Sequence, residues 1–245
     1  MPSSSNWLTR TAAEFFLFSR THHARVAGIL DALDAELLAA SNCYLGGGTA
    51  IALRHGEYRE SVDVDFLVSD NAGYSDLREK VCQPAGFNAL TRRPIAVLRP
   101  VVADQYGLRT LLDVDGEPIK FEIVSEGRIG LETPGLDDSI CGVATLTALD
   151  MAASKLLANS DRWADRAVFS RDVIDLAMME PGRDLLSRAI AKAESAYRSA
   201  VVDDLSKAID YLRDNPHRLD ECMRELQMYD TPKAVLWDRI KRLRP

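Results

Sequence analysis

The feature that most constrains this chain is a change of hydrophobic period along its length. Residues 62–69 alternate strictly, with Val62, Val64, Phe66 and Val68 on one side of a strand and Asp63 and Asp65 on the other. Ile95–Ala103, Leu108–Asp113 and Ile119–Ser125 read as three more strands, and Asp115-Gly116 supplies a tight hairpin signal between the last two. From about Thr145 onward the spacing turns helical, over 145–160, 171–180, 184–198, 201–213, 217–227 and 232–243. Upstream, Thr11–Ala40 carries one long helix or two shorter ones, Cys43–Leu45 a short strand, and Thr49–Arg54 and Gly73–Val81 short helices. Pro134-Gly135 marks a loop before Ile140–Val143. Such a chain is α+β: a small mixed sheet with flanking helices over 1–144, then a helical domain over 145–245.

Charge narrows the function. Thirty basic residues against thirty-seven acidic ones leave a net charge of -7, so nucleic acid cannot be held by bulk charge and would need a local basic patch. The one strongly basic tract is C-terminal: Lys233, Arg239, Lys241, Arg242 and Arg244 against Asp238. It reads equally as a solvated helix end. MPSSSNWLTR lacks the features of a signal peptide, and no apolar run is long enough to span a membrane, so a cytoplasmic location without membrane attachment is expected. The four cysteines are scattered with no CxxC pair, which excludes zinc and disulfide-scaffold readings.

The chemistry concentrates around residue 63. Asp63 and Asp65 sit two apart on one strand face. Two carboxylates about 4 Å apart repel by about 4 kcal/mol at an effective dielectric near 20, so such a pair needs a cation, a shared proton or divergence. Magnesium prefers carboxylate oxygens and keeps substrate phosphates among its ligands. Gly46-Gly47-Gly48-Thr49 lies between a short strand and a short helix, where glycines admit a phosphate and a helix N-terminus offers N–H groups. It is neither a Walker A loop nor a dinucleotide GxGxxG. Taken singly, the D-x-D reads as a solvated edge and the glycine run as a turn.

Together, LGGGTAIALRHGEYRESVDVDFLV resembles the first motif of DNA polymerase β-like nucleotidyltransferases, and in particular the GGTALA…S-x-D-x-D-F pattern of the AbiEii/AbiGii toxin family. The resemblance implies a nucleotidyltransferase core. It implies that Gly47, Gly48 and Thr49 hold a nucleoside triphosphate, that Asp63 and Asp65 bind Mg²⁺ or Mn²⁺, and that Ser61 sits at the turn before them. Such sites usually add a third carboxylate. Glu122 lies on the strand face opposite Ile119, Phe121 and Ile123, and there it is either the third metal ligand, a base, or the partner of Lys120. Asp113 and Asp115 form a second D-x-D that belongs to the hairpin turn.

KLLANSDR…SRDVIDLA resembles the second block of the same family. That implies Lys155 on the phosphates and Asp172 or Asp175 organising the site or assisting proton transfer. Helical offsets put Lys155, Asn159, Arg162 and Arg166 on one stripe, which without the first motif would be a solvated charged face. The reaction implied is metal-dependent transfer of a nucleoside monophosphate by a toxin controlled by a cognate antitoxin, with transfer RNA as acceptor in some members. A small-molecule or protein acceptor, and a non-catalytic nucleotide-binding regulator, remain as alternatives. The histidines show no ligand spacing, and Trp7, Trp163 and Trp237 read as packing residues.

Overall fold

A computed structural model describes residues 18–245. The expected helical residues 11–17, with Phe15 and Phe16, lie outside the described part. The chain packs as two compact units, the first made of residues up to Leu45, Val62–Ser125 and Ser139–Ala144, the second of Gly46–Ser61, Glu126–Asp138 and Thr145–Pro245. Composition divides the chain once, near residue 145; by packing, 46–61 and 126–138 also go with the helices.

In the first unit, α1 (Thr21–Ala32) and α2 (Ala35–Ala40) are separate helices. Asp34 breaks them, capping α2 by accepting from the Leu37 N–H at 3.1 Å. Strand β1 (Cys43–Leu45) follows, and within the second unit α3 (Gly47–Arg54) comes next in the chain. The first unit resumes with β2 (Val64–Val68), α4 (Asn71–Val81), a 3₁₀ turn at Gly86–Leu90, β3 (Ala96–Ala103), β4 (Gly107–Val114) and β5 (Glu117–Ser125). A two-stranded ribbon, β6 (Ser139–Ile140) with β7 (Val143–Ala144), completes it.

The sheet runs β1-β2-β5-β4-β3 and is antiparallel except for the parallel β2–β5 pair at its centre. One face is the core. Val64 and Phe66 of β2 and Ile119, Phe121 and Ile123 of β5 are all at most 1% exposed. The Phe121 ring packs 5.5 Å from Phe66 and edge-on, 4.9 Å, to Phe87. On β5 the alternation turns into a buried side and an open side, as expected for a strand with one covered face; on β2 it breaks at Leu67, which shares the side of Asp65 but is buried. Val62, assigned to the same row, falls before the strand and is 50% exposed. At the β4–β5 hairpin Asp115 and Gly116 both take positive φ (55° and 81°), and Asp113 accepts from the Gly116 N–H at 2.9 Å. The second D-x-D is therefore turn chemistry.

The second unit is helical: α3, α5 (Ala148–Arg162), a 3₁₀ turn at Arg166–Val168, α6 (Arg171–Met178), α7 (Arg183–Tyr197), α8 (Ala200–Asp214), α9 (Pro216–Glu225) and α10 (Lys233–Arg242). Thr147 caps α5 by accepting from Asp150 N–H. Helix α5 is the centre, packed by α6, α7 and α8, while α3 lies against α5 and α6, and α10 against α6. No helix among the described residues is long and apolar enough to cross a membrane.

Candidate functional site

On the open face of the central strands, Asp65 stands directly across from Glu122 in the parallel β2–β5 register, and Glu122 directly across from Arg109 of β4. Neighbours in register project to the same side, so Asp65, Glu122 and Lys120 share one face, while Asp63, just ahead of β2, comes close enough for its charge to act on Lys120. Both aspartates are half-buried. Lys120 pairs with Glu122 at 2.7 Å. Partial burial works against its charge, but the hydrogen bond and charge of Glu122, with Asp63 and Asp65 behind, raise its pKa. Among the described residues no three acidic, histidine or cysteine side chains are drawn into a closed metal cage. The donor set is nevertheless the oxygen-only chemistry that magnesium takes, Asp65 and Glu122 on adjacent strands with Asp63 just ahead of β2.

The second unit holds a different arrangement. Gly47 has φ +68°, a conformation glycine takes without strain. Gly48 has no room for a side chain: a Cβ there would stand 2.0 Å from the Arg59 Nη2 and 3.2 Å from an Asp175 oxygen. Thr49, buried, donates from Oγ1 to Ser61 Oγ at 2.8 Å, so two residues expected at the nucleotide do meet.

Behind Gly48 runs a buried ion network. Arg59 donates to both oxygens of Asp175, at 2.7 and 2.9 Å, and the Tyr58 hydroxyl donates to the same carboxylate at 2.6 Å. Lys155 lies 2.7 Å from Asp175 and donates to Asp172 at 3.0 Å. Arg162 grips Asp172 with two bonds, at 2.7 and 2.9 Å. Arg59, Lys155, Asp172 and Asp175 are all at most 6% exposed. Three cations against two carboxylates leave one net positive charge. The charged stripe of α5 is thus mostly interior. It also ends early, because α5 stops at Arg162 and Arg166 belongs to the following 3₁₀ turn.

Burial penalises the Asp175 carboxylate, yet the charges and hydrogen bonds of Arg59 and Lys155 outweigh that and hold it well below the usual range. Asp172 is lowered likewise, against its burial, by Lys155 and Arg162. Burial and then the Asp175 charge push the Tyr58 hydroxyl far up, so it stays a donor. Because both carboxyls titrate lower in the folded chain, their stabilisation is complete above the unfolded value of about 3.9 and is lost as pH falls through the folded values. The urea midpoint is therefore expected to be level from pH 7 to about pH 5 and to drop below about pH 4, with a shallower acid limb in Asp175→Asn. An equal acid limb in the two proteins would refute this coupling.

Sequence reasoning passed over Arg59 and Tyr58. The only local signal was an arginine two residues before Ser61. Its importance depends on Asp175, 116 residues away along the chain.

The family described as nucleotidyl transferase AbiEii toxin, type IV toxin–antitoxin system, matches residues 29–242. Among solved structures, the chain is similar to a Helicobacter pylori protein proposed to be a nucleotidyltransferase, with 19% identity, 86% of this chain and 89% of that chain covered, and a TM-score of 0.46. It is also similar to JHP933 from Helicobacter pylori, with 18% identity, 86% and 87% covered, and a TM-score of 0.43. No curated protein sequence matches.

Proposed function

Because the chain belongs to the AbiEii nucleotidyl transferase toxin family, and is thus a nucleotidyltransferase of the toxin–antitoxin kind, we propose that it moves a nucleoside monophosphate from a triphosphate to a hydroxyl of RNA, transfer RNA being the first acceptor to test. The reading rests above all on the row formed by Asp63, Asp65 and Glu122, with Asp65 and Glu122 side by side in register on the open face of the sheet. These three carboxylates are the proposed ligands of magnesium or manganese. When bound, such an ion supplies Lewis-acid stabilisation of charge on phosphate oxygens.

In the proposed reaction the acceptor oxygen attacks the α-phosphorus, the bond to the bridging oxygen breaks, pyrophosphate leaves and the hydroxyl proton is released. Gly47, Gly48 and Thr49 take the triphosphate through backbone N–H groups at the start of α3, with Ser61 holding Thr49 in place. Lys155 acts from within the buried network, whose net positive charge favours an anion at this turn. Asp172 and Asp175 organise that network. Held below the usual range, they are poor proton acceptors at neutral pH. A cognate antitoxin is the proposed protein partner.

The test is to incubate the protein with each labelled nucleoside triphosphate, Mg²⁺ and total RNA. Label in RNA that disappears with EDTA supports the reading. Label entering only a small molecule or a protein moves the acceptor, and no transfer to anything rejects it. Glu122→Gln is expected to lower transfer by about 10–100-fold and to raise the metal concentration needed for half activity. An unchanged metal requirement would remove Glu122 from the ligand set.

A further inference from the structure

The basic C-terminal tract acquires a place in the fold of the second unit. Arg239 and Arg242 of α10 and Arg183 at the start of α7 line one cleft of about 470 Å³, together with Ala177, Glu180 and Gly182. Three guanidinium groups, against Glu180 and the Asp238 carboxylate that pairs with Arg242, leave an excess of one positive charge there, in a chain whose net charge is -7. Such a local reversal of sign attracts anions against the field of the whole molecule.

The guanidinium groups are available in different degrees. Arg239 is held at 2.5 Å by Glu180 and packs on Met178 Sδ, so it is a fixed wall. Arg242 is 71% exposed and, among the described residues, pairs with Asp238 on its own helix. Arg183 has no ion-pair partner among the described residues. The first turn of α7 opens onto the same cleft through Gly182 and Arg183. Planar guanidinium groups are suited to phosphate oxygens, which they bind in pairs.

We propose that this arginine-lined cleft binds phosphate groups of the RNA acceptor's backbone. The site lies outside the residues assigned above to nucleotide and metal, and only the identity of its occupant rests on the RNA-acceptor reading. A volume of about 470 Å³ holds a ligand of nucleotide size. His55, at the C-terminal end of α3, feels the same charges. Burial and then Arg54 lower its pKa, Glu180 opposes this, and Arg239 lowers it further. A phosphate beside Arg239 would offset those cations and raise it.

The test uses the full chain without nucleotide, so that it is independent of turnover. Binding of a fluorescein-labelled RNA hairpin is followed by anisotropy over a salt series, for the native chain, Arg183→Glu/Arg242→Glu and Arg183→Lys/Arg242→Lys. The glutamate pair is expected to lose at least about tenfold in affinity and about two units of the slope of log K against log salt. The lysine pair should keep most of both, and triphosphate binding should be equal in all three. The His55 titration, followed by NMR, should move up on adding RNA to the native chain and stay put in the glutamate pair. Equal RNA affinity and slope in the native chain and the glutamate pair would overturn the proposal, as would no RNA binding by the native chain. So would a His55 shift produced by inorganic triphosphate and not by RNA, which would give the cleft to a free phosphate instead. Loss of hairpin binding with label transfer retained would leave the transferase reading standing.

Discussion

Asp65→Asn is expected to reduce nucleotidyl transfer by about three orders of magnitude, equivalent to about 4 kcal/mol of transition-state stabilisation. Asp65 is the middle member of the carboxylate row, on β2 two residues after Asp63, which lies just ahead of the strand, and facing Glu122 across the β2–β5 pair. Asparagine keeps its size and its place on the strand but removes the negative charge with which a carboxylate would hold a divalent ion. The same substitution relieves repulsion among three neighbouring acids. The melting temperature should therefore stay level or rise slightly while activity collapses. That opposition of signs separates a ligand from a structural residue. Near-native transfer by Asp65→Asn, at any Mg²⁺ concentration, would refute the proposed metal site.

The second large effect is on stability. Arg59→Met should lower the free energy of unfolding by about 3–5 kcal/mol, because it strands a buried carboxylate. Asp175 is fully buried and accepts from Arg59, Tyr58 and Lys155. Without Arg59 it keeps only one of its two direct cations. Arg59→Lys should recover little, since an ammonium cannot make the two-pronged contact. Arg59→Met/Asp175→Leu should recover much of the loss, because the double change removes both charges and leaves apolar groups of similar volume. Urea denaturation of the four proteins decides this. Equal losses in Arg59→Met and in the double variant would mean that lost packing, not the stranded buried charge, sets the cost.

The two predictions rest on features of unequal visibility. The faces of Asp65 and of Glu122 could be read from the letters, because a strand has period two; Glu122 was joined to the aspartates only through the family resemblance, and their side-by-side placement depends on the β2–β5 pairing. Once Val64, Phe66, Phe121 and Ile123 are buried, their neighbours must face the other way. The hairpin at Asp115-Gly116 was equally local, a matter of which residues accept positive φ. The helices after residue 145 followed from spacing, and only their ends shifted.

The alternation also had a limit. Val62 fits the pattern but lies beyond the hydrogen-bonded strand, so pairing with β1 and β5, and not spacing, ended the element. The break between α1 and α2 needed Asp34 to act as a cap, which one carboxylate among thirty-seven acidic residues does not announce.

What the sequence determined, then, was whatever depends on neighbours a few positions apart: strand faces, turn chemistry, helix spans and the order of the motif blocks. What only the tertiary structure decided was which charges are interior. Lys155, Asp172 and Asp175 have the spacing of a solvated helix face, and nothing in that spacing distinguishes it from a buried one. Their burial depends on Arg59 arriving from a distant segment to match Asp175, and on α5 packing against α6 so that Lys155 and Arg162 meet Asp172. A charge leaves water only when a partner is in place to replace the lost hydration, and that partner is chosen by the fold rather than by proximity along the chain.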